Sequence, residues 1–248
     1  MPHGVGAFFY EETESTNTLA KEMAASGSKG PVWLVAGTQS AGRGRQGRVW
    51  TSQPGNLYCS LLFVPALKLA DVAPIPFITA LAVRDTFLAL GAEPSSTQCK
   101  WPNDVLLRNK KASGVLIESS ASGGEALDYL VIGIGMNLVH CPDDAIFPAT
   151  TLANVTGQVV DVRTAMTELA KNLKARLDAW QVGTFAPIRE EWTRHAWGLG
   201  ETRKIQTATE SFLATIVGLD DQGAVNVILA DGTKKTIYVA DIFPSLAP

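Results

Sequence analysis

Between residues 97 and 138 the chain places four strand-like segments in succession with no helical pattern between them. Residues 97–101, 105–108, 112–118 and 129–138 are short, the last three rich in Val, Ile and Leu, and the second and third are expected to join through Asn109-Lys110 as a hairpin. Parallel neighbours would need a crossover of a dozen or more residues, so this order excludes alternating βαβ units and demands a largely antiparallel sheet. Two more strands are expected at 32–36 and 57–64. Ser15-Thr16-Asn17 offers N-cap side chains for a short amphipathic helix in which Leu19 and Met23 share a face and which Ser26-Gly27 ends. Residues 77–90 are apolar on nearly all sides, as expected of a buried helix ending at Gly91. A loop at 140–157 leads to Asp161, the expected cap of a helix in which Leu169, Leu173 and Leu177 repeat at i,i+4, and a further helix is expected at 187–197. The class is therefore α+β, a mixed, largely antiparallel sheet with helices.

After Gly198-Leu199-Gly200 the texture changes to short alternating segments at 204–206, 212–219, 225–229 and 235–239, with turns at Asp221-Gln222-Gly223 and Asp231-Gly232. Such a run predicts a small C-terminal SH3-like β-barrel, so the expected domains are 1–198 and 199–248. With 46 % hydrophobic and 18 % charged residues in 248, the chain can bury a core. Its 21 Lys and Arg against 24 Asp and Glu leave a net charge of -3, which argues against a protein whose main task is to coat DNA, RNA or an anionic membrane. Cys59, Cys99 and Cys141 form no C-x-x-C pair, so neither a disulfide framework nor a zinc knuckle is expected and a cytoplasmic setting is the default. No uninterrupted apolar run reaches the roughly 20 residues of a membrane span, and residues 1–14 lack the pattern of a signal peptide. His3, His140 and His195 are too scattered to suggest a metal site or a Ser-His-Asp triad.

The chemistry concentrates in the stretch 37–56, polar, Gly-rich and without periodicity, which holds Gly42-Arg43-Gly44-Arg45-Gln46-Gly47-Arg48-Val49-Trp50. It satisfies G-x-G-x-x-G formally, but Thr51 to Asn56 cannot open the helix that a dinucleotide fingerprint requires. Glycines let a backbone wrap an anion and arginines offer planar forks to phosphate or carboxylate oxygens, so the loop reads either as a solvated basic loop or as one that orders around a phosphorylated ligand. Trp50 either covers an aromatic base or packs beneath the loop. Lys100-Trp101-Pro102-Asn103-Asp104 taken alone is a polar turn. Lys111, within Lys110-Lys111-Ala112-Ser113-Gly114, is either solvated or turned inward to neutralise charge developing on a substrate. Gly133-Ile134-Gly135-Met136-Asn137 strips two side chains from one strand face, as a bulge or as a floor for a flat ligand.

In this order the segments Ser15-Thr16-Asn17, Gln39 with the Gly-Arg loop, Asn56-Leu57-Tyr58, Lys100 to Asp104, Lys111 to Gly114 and Gly133 to Asn137 resemble the biotin protein ligase family. The resemblance implies a class II aminoacyl-tRNA synthetase/biotin ligase-like fold and ATP-dependent attachment of biotin to a biotin carboxyl carrier protein through biotinyl-5′-AMP. It implies that Ser15, Thr16, Asn17 and Gln39 bind the ureido ring, that Gly114, Gly133 and Gly135 make room for the fused rings, and that Gly42 and Gly44 border the same ligand. Arg43 and Arg45 would contact the biotin carboxylate and the α-phosphate, Arg48 the ATP phosphates, and Trp50, Asn103 and Asn137 the adenylate. Lys111 would be the central catalytic side chain, with Arg48, and Asp104 would orient or deprotonate the incoming carrier lysine. ATP with Mg2+ is the implied co-substrate and biotin the substrate; metal ligands and oligomeric state, a homodimer included, stay open.

Three departures stand out. Only 14 residues precede Ser15, so no DNA-binding winged helix, and no repressor activity, is expected. Ser113 replaces the usual Ala, and Val239-Ala240-Asp241-Ile242-Phe243 replaces the usual Gly-Glu-Val-Ser in the last strand. Lipoate or octanoate ligases share the scaffold and would need a long apolar acyl tunnel, whereas a nucleic-acid-binding module would need a basic, salt-sensitive surface.

Overall fold

The computed structural model describes residues 4–245. Among them the chain runs β1 (Gly6–Thr13), α1 (Thr16–Ala25), β2 (Val32–Gln39), β3 (Leu57–Phe63), α2 (Ile75–Ala89), β4 (Thr97–Lys100), β5 (Asp104–Leu107), β6 (Lys110–Ser120) and β7 (Tyr129–Met136). It continues through α3 (Leu152–Thr156), α4 (Val162–Ala179) and α5 (Ala186–Arg194) to β8 (Thr202–Gln206), β9 (Ser211–Leu219), β10 (Val225–Ile228), β11 (Lys234–Ile237) and β12 (Asp241–Pro244). The first sheet has the order β1-β2-β3-β7-β6-β5-β4. Only β1 and β2 pair in parallel; the other neighbours are antiparallel, as the succession of strands without crossovers requires.

Period-2 alternation gives this sheet two covered faces. On one face Trp33, Val35, Leu57, Leu61, Leu130, Ile132 and Ile134 join the main core with α2 and α4. On the other, Val32, Leu34, Leu62 and Val131 pack against Ala20 of α1. Helix α2 is buried around most of its circumference. The stretch Leu69–Ala89 contains an 18-residue window of mean hydropathy 1.4, long and apolar enough to cross a membrane by length and composition, but 67 % of that window is buried inside the protein.

Several boundaries move for identifiable reasons. The β5–β6 turn centres on Arg108 and Asn109, with φ of 49° and 63°, one residue earlier than expected, because a two-residue hairpin whose twist matches its strands needs positive φ at both positions. Strand β1 escapes the sequence reading since it is an edge strand with Phe8 and Phe9 about half exposed, so its apolar residues do not alternate. The short α3 sits inside the expected 140–157 loop, capped by Thr151 Oγ1, which accepts from Asn154 N at 3.0 Å, and closed by Gly157 at φ 75°. Helix α5 stops at Arg194, not 197, because the next residues bond to the β4 edge: Cys99 N donates to His195 O and Trp197 N to Cys99 O, both at 2.8 Å.

The second sheet is antiparallel in the order β11-β10-β9-β8-β12, the meander expected of an SH3-like domain. Trp101 is buried and its indole N–H donates to Gly223 O at 2.9 Å, so the Lys-Trp-Pro-Asn-Asp turn anchors the second sheet to the first.

Candidate active site

The face of the first sheet that carries α1 also carries the site. Gly114 lies opposite Gly135, and Leu116 opposite Gly133, across the β6–β7 ladder. With side chains alternating, these glycines bare a patch of backbone on one face. The protein's own side chains occupy that patch. A Cβ on Gly133 would fall 2.2 Å from Asn17 Oδ1, whereas one on Gly135 would fall 2.5 Å, and one on Gly114 2.8 Å, from the Trp50 ring. Gly133 thus lies against the Asn17 amide, and Gly114 and Gly135 against the indole of Trp50, while all three also border the cavity described below. Trp50 packs beneath the loop, and its buried N–H makes no hydrogen bond among the described residues.

At the start of α1 the three small polar residues do not cap the helix. Ser15 occupies the N-cap position in extended conformation, yet its side chain accepts no capping bond. Gln39, at the end of β2, does so instead: its Oε1 accepts from Thr16 N at 2.9 Å and from the Thr16 hydroxyl at 3.2 Å, while its Nε2 donates to Ser52 Oγ at 3.1 Å. Ser60 donates to Asn17 Oδ1 at 2.6 Å and lies 2.7 Å from the Thr16 hydroxyl. Asn17 Nδ2 donates to the Glu118 carboxylate at 2.8 Å. Ser15, Thr16 and Asn17 are each almost fully buried, so this is a dense hydrogen-bonding wall with fixed donor and acceptor directions.

The arginine segment is a narrow ordered hairpin. Trp50 N donates to Gly42 O at 2.9 Å and Gly44 N to Arg48 O at 2.7 Å, with Arg43 and Val49 bridged between them. The tip turns on Gln46 and Gly47 at φ 55° and 72°. Gly42 is required here, since a Cβ would fall 2.4 Å from Trp50 O. Each arginine is held from a different direction. Arg43 meets Glu118 at 3.1 Å, Arg45 donates to Asn103 Oδ1 at 3.4 Å, and Arg48 meets Asp241 of β12 at 3.0 Å. Burial lowers the pKa of Arg45, and the carboxylates of Asp104 and Asp241 partly offset that.

Between hairpin and sheet sits a lysine–carboxylate cluster. Lys111 Nζ lies 2.7 Å from Asp104 Oδ1, and the buried Lys100 Nζ lies 3.4 Å from Oδ2. Burial pushes the Asp104 carboxyl up, but the charges of Lys111 and Lys100 and their hydrogen bonds outweigh it and hold it below its usual value. Burial lowers Lys100 in turn, against the pull of Asp104. Lys111 also stands 5.3 Å from the Trp50 ring centroid.

These elements enclose a cavity of about 340 Å³. It is lined by Ser15, Thr16, Asn17, Gln39, Arg43, Gly44, Arg45, Arg48, Trp50, Asn103, Asp104, Lys111, Gly114, Gly133, Gly135 and Asn137, so every expected site residue except Gly42 borders it. Five cationic side chains face three carboxylates there, a local excess of positive charge in an acidic chain. Asn137 is buried and its Nδ2 donates to Thr150 O at 3.3 Å. Residues outside the expected set also contribute. Lys100 lines the cavity, as do Ile146 and Phe147 from the 140–157 loop and Asp241 and Phe243 from β12. Among the described residues no cluster of three or more metal-binding side chains is present.

The family described as "Biotin/lipoate A/B protein ligase family" matches residues 9–137, and "Biotin protein ligase C terminal domain" matches residues 198–243. The chain is 36 % identical over 240 residues to "Biotin--[acetyl-CoA-carboxylase] ligase" of Paracoccus denitrificans, covering 93 % of this chain and 97 % of that protein. It is 32 % identical over 249 residues to "Bifunctional ligase/repressor BirA" of Bacillus subtilis, covering 96 % and 74 % respectively. Its fold matches the biotin protein ligase of Aquifex aeolicus in complex with biotin and ATP, with a TM-score of 0.82 at 28 % identity over 97 % of this chain and 99 % of that one. It also matches the Leishmania major enzyme in complex with biotinyl-5-AMP, with a TM-score of 0.68 at 28 % identity over 96 % and 100 %.

Proposed function

The chain belongs to the biotin/lipoate A/B protein ligase family, and from that premise we propose that it is a biotin–[acetyl-CoA-carboxylase] ligase. The observation that carries this reading is one cavity combining a neutral hydrogen-bonding wall of Ser15, Thr16, Asn17 and Gln39 with three arginines and Lys111. A ureido ring has both donors and acceptors to satisfy; a dithiolane or a plain acyl chain would leave that wall unpaired, at a cost of about 1–3 kcal/mol per buried group.

In the first step the biotin carboxylate attacks the α-phosphorus of MgATP, forming the acyl phosphate bond of biotinyl-5′-AMP as pyrophosphate leaves. Lys111, next to the arginines, eases the repulsion between carboxylate and phosphate and stabilises the charge that builds in the transition state. Arg43 and Arg45 hold the carboxylate and α-phosphate, Arg48 the leaving phosphates, and Trp50, Asn103 and Asn137 flank the nucleotide. Magnesium enters with the phosphates of ATP. In the second step a lysine amine of a biotin carboxyl carrier protein attacks the acyl carbon, AMP leaves and the amine loses a proton. The closed arginine hairpin shields the mixed anhydride from water between the steps. Asp104 is a weak base where it stands, enclosed by two lysines, so its part is to orient Lys111. Residues 1–198 form the catalytic unit and 199–248 a domain that reaches the site through Asp241 and Phe243. The free thiols of Cys59, Cys99 and Cys141 and the use of ATP fit a cytoplasmic reaction.

The deciding experiment is incubation with ATP, magnesium, biotin and a biotin carboxyl carrier domain, followed by intact-mass measurement. One biotin is expected on the carrier. No gain with biotin but a gain with lipoate and its carrier would move the assignment to the lipoate branch, and no gain with either would remove it from ligases.

A further inference from the structure

We infer that Glu118, on β6 outside the expected site, is a positioning residue that couples the biotin pocket to the arginine hairpin by orienting the Asn17 amide and tethering Arg43. The inference rests on the biotin ligase reading of this site. Glu118 faces three cationic or amide donors from two separate elements, helix α1 and the arginine hairpin. Asn17 Nδ2 of α1 donates to its Oε2 at 2.8 Å, Lys21 Nζ of the same helix meets its Oε1 at 2.7 Å, and Arg43 of the hairpin meets Oε2 at 3.1 Å. Its side chain is 22 % exposed, so water competes only partly for these bonds.

The two ends of an Asn amide have nearly the same shape and opposite hydrogen-bonding character, so neighbours decide which way it points. An ionised carboxylate only accepts, so Glu118 at 2.8 Å, with Leu116 O at the longer 3.4 Å, draws Nδ2 to its side and leaves Oδ1 over Gly133, where Ser60 donates to it at 2.6 Å. The second lone pair of Oδ1 is then available to accept from an N–H of a ureido ring. Without Glu118 the amide could reverse and present a donor to a donor. Tethering Arg43 with the same carboxylate ties hairpin closure to the strand that forms the floor of the pocket, through charge-assisted bonds stronger than neutral ones.

Two variants separate the two tasks. Glu118→Gln keeps an acceptor oxygen for Asn17 and loses the charge, so biotin Kd by calorimetry is expected to stay within about threefold of the parent, while trypsin cuts the hairpin arginines about fivefold faster. Glu118→Ala removes both functions, so Kd is expected to rise about tenfold and cleavage to match Glu118→Gln, with kcat of biotin-dependent pyrophosphate exchange changing less than KM for biotin. An unchanged Kd in Glu118→Ala, or unchanged cleavage in both variants, would overturn the inference; if Glu118→Ala does not fold, cleavage of Glu118→Gln alone decides. Parent protein that does not bind biotin would overturn the ligase reading as well, an outcome distinct from parent binding that Glu118→Ala leaves unmoved.

Discussion

Lys111 Nζ stands 2.7 Å from Asp104 Oδ1 and 5.3 Å from the ring of Trp50, half-buried and bordering the cavity. A lysine so placed is held by one carboxylate while its free side addresses whatever anion enters. The charge it stabilises develops only during adenylate formation, so Lys111→Ala is expected to lower biotin-dependent pyrophosphate exchange at saturating substrates by about 100-fold, roughly 2.7 kcal/mol, with biotin Kd changed much less. Exchange retained within about tenfold would remove Lys111 from the chemistry.

Asp104 is expected to matter more to folding than its size suggests. Replacing it by Asn leaves the buried Lys100 and the half-buried Lys111 facing each other without their shared carboxylate, and losing one member of a buried ion pair costs about 3–5 kcal/mol. The sign of the pH effect follows from the depressed carboxyl. A carboxyl held below its unfolded value stabilises fully above that value, about 3.9, and its contribution disappears as pH falls through the folded value. Urea unfolding should therefore show a constant gap between parent and Asp104→Asn from neutral pH down to about pH 4, narrowing below. A gap that widens on acidification would contradict the ion-pair assignment.

The glycine floor predicts two separable defects from substitutions two residues apart. A methyl at Gly133 displaces the Asn17 amide, and one at Gly135 displaces the Trp50 ring. Gly133→Ala should weaken biotin binding by about tenfold or more while leaving KM for ATP within about threefold; Gly135→Ala should do the reverse. Calorimetry with biotin alone and initial rates against ATP distinguish them. Equal loss of both ligands in both variants would mean that the strand itself had shifted.

The sheet and the site were legible to different depths for physical reasons. Strand succession and period-2 glycines identify the floor, because they report backbone geometry that is local in sequence. What the floor holds is not local: Gln39 caps a helix that begins 23 positions earlier, and Asn17 meets Glu118 across 101 positions. Ser15-Thr16-Asn17 looks like a capping triplet because it has capping residue types, and only the approach of Gln39 releases those side chains for the cavity. Asn56 was visible as part of a motif without a role. Its Oδ1 accepts from Leu138 N and Val139 N at 2.9 Å and from His140 N at 3.1 Å, stapling β3 to the chain beyond β7. Asp241 and Phe243 stand out in the sequence only as a departure from the family's last-strand motif, since a terminal strand of a second sheet gives no hint of which cavity it will border.

Asp241 is where the second sheet touches the hairpin. Its ion pair with Arg48 spans 3.0 Å between side chains 41 % and 27 % exposed, a setting in which a salt bridge contributes little to stability, about 0–1 kcal/mol. Its consequence is instead kinetic, because Arg48 directly follows the tip of the hairpin that covers the cavity. With Asp241→Ala the hairpin loses its only tether to β12 among the described residues while the folded core is untouched. Thermal unfolding should shift by no more than a few degrees. In the absence of carrier protein, slow release of AMP and free biotin from the bound adenylate should rise by about fivefold, as water reaches the acyl phosphate more often. AMP release equal to that of the parent would show that Arg43 and Arg45 close the site without help from the second sheet.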